Sequence, residues 1–356
     1  MAFPTETVYG LGAHAADCEA VRSIYHVKGR PPTDPLIVHV SSAHQALELV
    51  DAKKATAWQR AVLHRLAESF WPGPLTLIVP ADLERIAFEV TSSTGWVGLR
   101  WPAHPVAQSF LKACGVPVAA PSANLFGHVS PTSAEHVAVD FPNVDNLWII
   151  DGGRCGFGIE STVLRINANE TLDIFRRGGV GPAEISASLL DAQLISNSNV
   201  LNVVEKYMSE NPAQGEVAPG QLLVHYAPRM TTQMVSWSQG ENHEEVLMNA
   251  EELRRIVLLD FAGAFCSLAK YVGFYRDLSP SGDVTEAVFS LFDGLRWAET
   301  CGQGSHKLWI FDPRNLNQSG NELFLALQDR IIRSASGRTL KIQIKPSSGQ
   351  VYASAR

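Results

Sequence analysis

Short apolar runs alternate along this chain with stretches whose apolar positions recur every three or four residues. Leu36-Ile37-Val38-His39-Val40, Leu75-Thr76-Leu77-Ile78-Val79 and Leu147-Trp148-Ile149-Ile150 have the length and composition of buried strands. Residues 17–27, 54–70 and 105–113 carry the spacing of helices with one face on a core. Thr162–Ile166 and Leu172–Phe175 flank the polar stretch Asn167-Ala168-Asn169-Glu170 and read as a hairpin. This order predicts an α/β fold, a sheet with helices packed on it.

From Asp191 to Arg229 the periodicity fades into Ser-Asn-Ser-Asn, Glu-Asn-Pro-Ala-Gln-Gly-Glu and Ala-Pro-Gly. Such composition marks a connection, and one this long is usually functional or mobile. Beyond it, 256–261, 271–275 and 307–311 predict strands, and 244–255, 284–299 and 321–333 predict helices. The expected organisation is a first domain over 1–190, a linker over 191–229 and a smaller α/β domain over 230–356. No internal repeat or low-complexity tract interrupts it.

Composition narrows the class. Over 356 residues, 46% are hydrophobic and 18% charged, enough apolar material for two cores and no signature of disorder. The longest apolar runs are far too short to cross a bilayer. The opening Met-Ala-Phe-Pro-Thr-Glu-Thr has neither the basic start nor the apolar stretch of a signal peptide. A soluble, cytoplasmic protein without a membrane partner is the expectation. Residues 1–190 hold 14 basic and 18 acidic side chains, a net of −4; the remainder holds 15 and 18, a net of −3, which sums to the overall −7. Neither part is a basic footprint, so stable nucleic-acid binding is not expected. Five cysteines at wide, irregular spacing, with no C-x-x-C pair and no H-E-x-x-H run, favour buried thiols over a zinc site or disulfides; no metal site is expected.

The densest chemistry is at the start, where Pro4-Thr5-Glu6-Thr7-Val8-Tyr9-Gly10-Leu11-Gly12 sets hydroxyls and a carboxylate beside glycines. Gly10-Leu11-Gly12 is not a dinucleotide fingerprint, because too little chain precedes it for a βαβ unit. Lys28-Gly29-Arg30 sets two cations either to face one polyanion or to complement a helix C-terminus. Arg100, at the end of a short strand, either grips a carboxylate or lies at the surface. Pro121-Ser122-Ala123-Asn124 follows the small-residue strand Val116–Ala120, where α/β sheets often carry ligands. A glycine-rich stretch from Gly152 runs to Glu160-Ser161-Thr162, without the G-x-x-x-x-G-K-[ST] of a Walker loop.

In order and wording these segments resemble the YrdC-like domain. They are Pro4–Gly12, Lys28-Gly29-Arg30, Pro35-Leu36, Trp71-Pro72-Gly73-Pro74-Leu75-Thr76, Val97–Arg100, Pro121–Asn124, Ser130-Pro131-Thr132 and Glu160-Ser161-Thr162. Ala218-Pro219-Gly220 with His225-Tyr226-Ala227-Pro228 resembles the linker of the longer members, the two-domain threonylcarbamoyl-AMP synthases. Their last domain typically ends on a helix like Leu327–Arg333. The resemblance runs from Pro4 to about Arg338. Members usually carry a strand and a helix ahead of the stretch that matches Pro4.

The resemblance implies a YrdC-like twisted mixed sheet with packed helices, a linker acting as a lid, and a smaller Rossmann-like α/β domain. It implies that L-threonine, bicarbonate and ATP, with Mg2+, become threonylcarbamoyl-AMP and pyrophosphate. A downstream complex would consume the product in the threonylcarbamoyladenosine modification of tRNA. It assigns Lys28 and Arg30 to the ATP phosphates as the catalytic cations. Ser122, Asn124, Ser130, Arg176, His225 and Tyr226 are assigned to the nucleotide, the Arg-x-Gly spacing favouring Arg176 over Arg177. Thr5, Arg100 and Ser161, with His39 and the Ala120 backbone, are assigned to threonine. The rivals are an RNA-binding module without synthase activity, which the net charge disfavours, and carbamoyl transfer of the hydrogenase-maturation type, whose zinc-finger cysteine pairs are missing here.

Overall fold

A computed structural model describes residues 1–197, 200–204, 225–238, 246–302, 306–316, 318, 320–344 and 350–355. The chain forms two compact units, Met1–Phe126 with Ser130–Leu222, and Gly127–Val129 with Leu223–Arg356. Both are mixed α/β.

The first unit contains β1 (Ala2–Phe3), β2 (Gly10–Leu11), β3 (Ala13–His14), β4 (Ile37–His39), β5 (Leu75–Pro80), β6 (Trp96–Arg100), β7 (Val118–Ala119), β8 (Thr162–Ile166), β9 (Leu172–Arg176) and β10 (Leu201–Val203). β1 and β2 pair with each other. The other eight form one sheet in the order β10-β9-β8-β5-β6-β4-β7-β3. Pairing is mixed: β4–β6 and β5–β8 are parallel, and β5–β6 and β8–β9 antiparallel. The helices are α1 (Cys18–Lys28), α2 (Ala43–Glu48), α3 (Ala57–Phe70), α4 (Pro105–Cys114), α5 (Ala134–Asp140) and α6 (Pro182–Asp191).

Local chemistry sets the elements that matter for the site. The Asp17 carboxylate accepts the Glu19 and Ala20 amides and starts α1, while Gly29, at φ 63°, ends it in the left-handed conformation that favours glycine. Lys28 and Arg30 therefore leave the helix on either side of a fixed turn. Thr56 and Gln59 form a capping box on α3. Val38, Leu77, Leu99 and Leu164, from four neighbouring strands, are buried in one core with Leu63 and Leu66 of α3. Gly98 keeps the sheet tight, since a Cβ there would lie 3.1 Å from Thr76 Cγ2.

The second unit contains β11 (Thr231–Trp237), β12 (Val246–Leu247), α7 (Ala250–Arg254), β13 (Ile256–Asp260), β14 (Phe274–Asp277), α8 (Val284–Cys301), β15 (Lys307–Phe311), α9 (Glu322–Ser334), β16 (Thr339–Ile344) and β17 (Val351–Ala355). Its sheet runs β12-β17-β16-β11-β15-β13-β14; β16, β11, β15, β13 and β14 are parallel to one another, and the β16–β17 and β17–β12 pairs are antiparallel. The core-facing positions of α8 and α9, among them Leu291, Phe292, Leu295 and Leu327, are buried. Within this unit His128 Nε2 lies 2.9 and 3.0 Å from the Glu299 carboxylate oxygens, and the Ala227 amide donates to Gly127 O at 2.9 Å. No helix among the described residues is long and apolar enough to cross a membrane.

Several expected elements differ. Residues 147–150 form no strand: only Ile149 bridges to Ala2; Leu147, Ile149 and Ile150 pack against the core from irregular chain, and Trp148 is 71% exposed. β14 starts at Phe274, three residues after the expected position, because the chain closes a turn through Val272 first. The expected helix over 244–255 shrinks to α7, preceded by β12; residues 244 and 245 lie outside the described residues. Residues 201–203 of the expected linker are an edge strand, parallel to β9.

Close backbone packing at Gly178 yields the first prediction. A Cβ there would stand 2.3 Å from Thr162 N and 2.6 Å from Glu160 O. Gly178→Ala is expected to destabilise the first unit by about 1–3 kcal/mol, the usual range for overpacking. A lowered urea midpoint checks it; an unchanged midpoint would mean the loop yields freely.

Candidate functional site

In the first unit, three loops converge on the start of the chain. The Tyr9 amide donates to Pro131 O, the Leu11 amide to Pro121 O and the Ala123 amide to Tyr9 O. The Phe157 amide donates to Glu6 O, and the Ala120 amide to Ile37 O of β4. Residues 4–12, 120–124, 130–132 and 155–162 are thereby held in one place.

Lys28, only 2% exposed, reaches this assembly from the end of α1. Its ammonium donates to Ser122 O at 2.6 Å and also to Asn124 O. Lys28, Ser122 and Asn124 are thus together. Arg30 points elsewhere along its own loop: it pairs with Asp34 at 2.8 Å and donates to Asp34 O and Pro35 O, with both side chains buried.

The second cluster surrounds Arg100, at the end of β6 and 4% exposed. Its Nη2 lies 2.7 Å from Glu6 Oε1, and its Nε donates to Gly73 O at 3.3 Å. The Glu6 contact is an ion pair out of line for a hydrogen bond, so Arg100 Nη2 has no aligned acceptor. Beside it His39 is fully buried, edge-on to Phe3, with no hydrogen-bond partner on Nδ1. Burial, and after it the charge of Arg100, push His39 down to about 3, so it stays neutral near pH 7. Thr5 Oγ1 donates to Val8 O at 2.6 Å and closes the turn of the first segment. Burial raises the Cys155 thiol, in the same region, to about 12.

A chain of polar contacts joins the remaining residues. Ser130 Oγ donates to Glu160 Oε1 at 2.5 Å, and Ser161 Oγ lies 2.8 Å from Thr76 Oγ1. Arg176 donates to Ser161 O at 2.9 Å and to Ser161 Oγ at 3.1 Å. The structure therefore brings Ser161, Thr76 and Arg176 together and sets Ser130 on Glu160, the residue just before Ser161.

His225 and Tyr226 belong to the second unit. Their rings meet edge-on with centroids 4.1 Å apart, Tyr226 packs on Phe292, and Arg330 lies over the Tyr226 ring at 5.5 Å. Ala218-Pro219-Gly220 lies outside the described residues. Among the described residues no group of three or more His, Cys, Asp or Glu side chains is placed to hold a metal.

Sequence reading assigned no role to Glu6, Glu160 or Thr76. Glu6 had a signal, a lone carboxylate among hydroxyls and apolar residues. Thr76 and Glu160 lay in segments that carry the resemblance, but Thr76 also sits in a run read as buried strand, which pointed to packing.

Comparison with known proteins extends this over the whole chain. The family model described as "Telomere recombination", covering Sua5, YciO and YrdC proteins, matches residues 1–178. The model described as "Threonylcarbamoyl-AMP synthase, C-terminal domain" matches residues 184–336. The threonylcarbamoyl-AMP synthase of Bacillus subtilis is 33% identical over 96% of this chain and 90% of its own length. That of Pyrococcus abyssi is 32% identical over 96% and 92%. The chain belongs to the threonylcarbamoyl-AMP synthase family. A crystal structure of P. abyssi Sua5 complexed with L-threonine superposes with a TM-score of 0.74 at 31% identity, covering 96% of this chain and 92% of that one. For this synthase family member, the two-unit mixed α/β architecture is thus shared with a solved relative.

The buried imidazole makes stability depend on pH. Between about pH 6.5 and 3 the unfolded chain binds a proton on His39 that the folded chain refuses. Stability from this group is therefore complete above pH 6.5 and falls as pH drops, by about 1.4 kcal/mol per pH unit. His39→Gln is expected to flatten the pH dependence of unfolding free energy between pH 6 and 4 relative to wild type. Parallel curves would show that His39 is protonated in the fold.

Proposed function

We propose that this chain makes threonylcarbamoyl-AMP and pyrophosphate from L-threonine, bicarbonate and ATP. The observation that carries the reading is near-full-length similarity to synthases of that name, in both domains and over nine-tenths of each relative. The arrangement around Arg100 supports it, because a buried guanidinium whose Nη2 has no aligned acceptor suits a small carboxylate ligand.

In this reading the threonine carboxylate takes the Nη2 donors of Arg100, and Glu6 stays opposite as the charge that holds Arg100 in line. Thr5 and Ser161, with the Ala120 backbone and a neutral His39, shape the rest of that pocket. The threonine nitrogen attacks the carbon of CO2 and loses a proton, or attacks the carbon of bicarbonate with loss of water, giving a carbamate. A carbamate oxygen then attacks the α-phosphorus of ATP, and the bond to the pyrophosphate oxygen breaks. Negative charge grows on the phosphoryl oxygens and the leaving group, so placement and cations supply most of the acceleration. Lys28 stands at the loop carrying Ser122 and Asn124, so its charge is oriented before ATP enters. Arg30 serves the phosphates after exchanging its Asp34 contact, with Arg176 and Ser130 on the nucleotide. Mg2+ enters with ATP as part of the substrate. The resemblance also assigns His225 and Tyr226 to ATP, and residues 1–190, 191–229 and 230–356 to catalytic domain, linker and second domain. It places the chain in the cytoplasm, upstream of the tRNA-modifying complex.

Incubation with ATP, threonine and bicarbonate should release pyrophosphate only when all three are present; release without threonine would overturn the reading. Arg100→Ala should weaken threonine binding roughly 10- to 150-fold, the loss of one charge-assisted pair of about 1.5–3 kcal/mol, while ATP affinity changes far less. Calorimetry on the folded variant decides it. Lys28→Ala should lower kcat strongly, and should also cost about 1–3 kcal/mol of stability, because two carbonyls lose a buried donor. Unchanged turnover would reduce Lys28 to a structural cation.

A further inference from the structure

The second unit has a cavity of about 240 Å3, and its place in the fold is informative. β11 and β15 are adjacent and parallel. From β11 the chain runs first to β12, at the far edge beyond β16 and β17, and then to β13, beyond β15; from β15 it runs to β16, beyond β11. Among the parallel strands, the successor of β11 (β13) and the successor of β15 (β16) lie on opposite sides of the pair, the arrangement that leaves a crevice at the carboxyl ends of these strands. Ligands of open α/β sheets bind at such crevices. The cavity is lined by the carboxyl ends of β11 and β15 and by the turn after β13, so it occupies this crevice.

Its walls are chemically selective. Trp237 is stacked on Phe265 with centroids 5.0 Å apart, and its indole N–H is fixed on Ala264 O at 2.9 Å. Phe311 is stacked on Phe261 at 5.3 Å. Two flat apolar walls of this kind suit a planar ring. Ser236, Asp312 and Asn315 are the polar side chains of its lining. Arg314 grips Asp312 through Nε to Oδ1 at 2.9 Å and Nη2 to Oδ2 at 2.6 Å, which orients the carboxylate and leaves Oδ2 one further acceptor position. Among the described residues lining the cavity there is no Lys, Arg or His, and the neighbouring Arg314 is engaged by Asp312, so the lining favours no phosphate. The volume lies below the about 300–1,000 Å3 of sites for drug-sized molecules, which limits the occupant to one small ring system.

We propose that this crevice of the second unit binds an uncharged planar nitrogen heterocycle carrying an N–H donor, a nucleobase, with its ring between the aromatic walls and its donor on Asp312. The site is independent of the ATP and threonine assignments made above.

Adenine is the probe, applied to the full chain and followed by hydrogen–deuterium exchange and calorimetry. Adenine should protect the amides of 235–237 and 261–265, and saturating ATP with threonine should leave that protection in place. Ser236→Trp, which fills the cavity, should abolish binding. Asp312→Asn should weaken it roughly threefold to tenfold, as one charge-assisted hydrogen bond becomes a neutral one. Benzofuran, similar in shape but without a donor, should bind at least tenfold more weakly. No protection at millimolar adenine in the wild-type chain would overturn the proposal, whatever the variants do. So would displacement of adenine by ATP, or equal binding of benzofuran. If pyrophosphate release fails while the crevice still takes adenine, the synthase reading falls and this one stands.

Discussion

The first unit is organised around cations withdrawn from water. Lys28, Arg30 and Arg100 are 2%, 6% and 4% exposed, and removing an ion from water costs several kcal/mol unless oxygen atoms replace the hydration. Each cation finds its own set. Lys28 takes loop carbonyls, Arg30 takes Asp34 and two carbonyls, and Arg100 takes Glu6 with one carbonyl. These demands fix the loops, since a carbonyl that must face Lys28 cannot face solvent. The convergence of distant segments on residues 4–12 is the backbone's share of the same requirement.

The second unit obeys the rule with other partners. Arg330, fully buried in α9, meets Asp329 at 2.9 Å and the Tyr226 ring, and Arg296 donates to Val129 O. There the cations fasten helices to an aromatic core. In the first unit they stand beside a carboxylate and the ends of strands, where a bound anion can compete for them. Similar burial thus meets helix packing in one unit and converging loops in the other.

Much of this was legible in the chain. The strand at 75–79 and the hairpin 162–175 extend by only a residue or so, and α8, β15 and α9 lie within about two residues of expectation, because long periodic runs and sharp caps are local signals. β11 was not legible, though it lies inside its sheet: Thr231-Thr232-Gln233 masks the buried Met234-Val235. Residues 147–150 misled for the opposite reason: Leu147, Ile149 and Ile150 pack against the core without taking strand form, and Trp148 is exposed. For the site, residue types and order pointed to Lys28, Arg100 and Ser161. Partners such as Glu6 and Thr76 depend on which strands become neighbours, and one sequence does not state that. Arg30 illustrates the remaining gap, since a cation beside a turn can face either a ligand or its own loop.

Cys155 has a different significance. Its sulfur is buried near Thr5 and Glu6 with the thiol raised to about 12, while Cys18, Cys114 and Cys266 are exposed. Only a thiolate reacts quickly with alkylating or disulfide reagents. In the closed fold Cys155 is both screened and protonated, so its modification counts the moments when this part of the molecule comes apart. The chain thus carries an internal clock for local opening at its own site, read by the slowest thiol after the exposed ones have reacted.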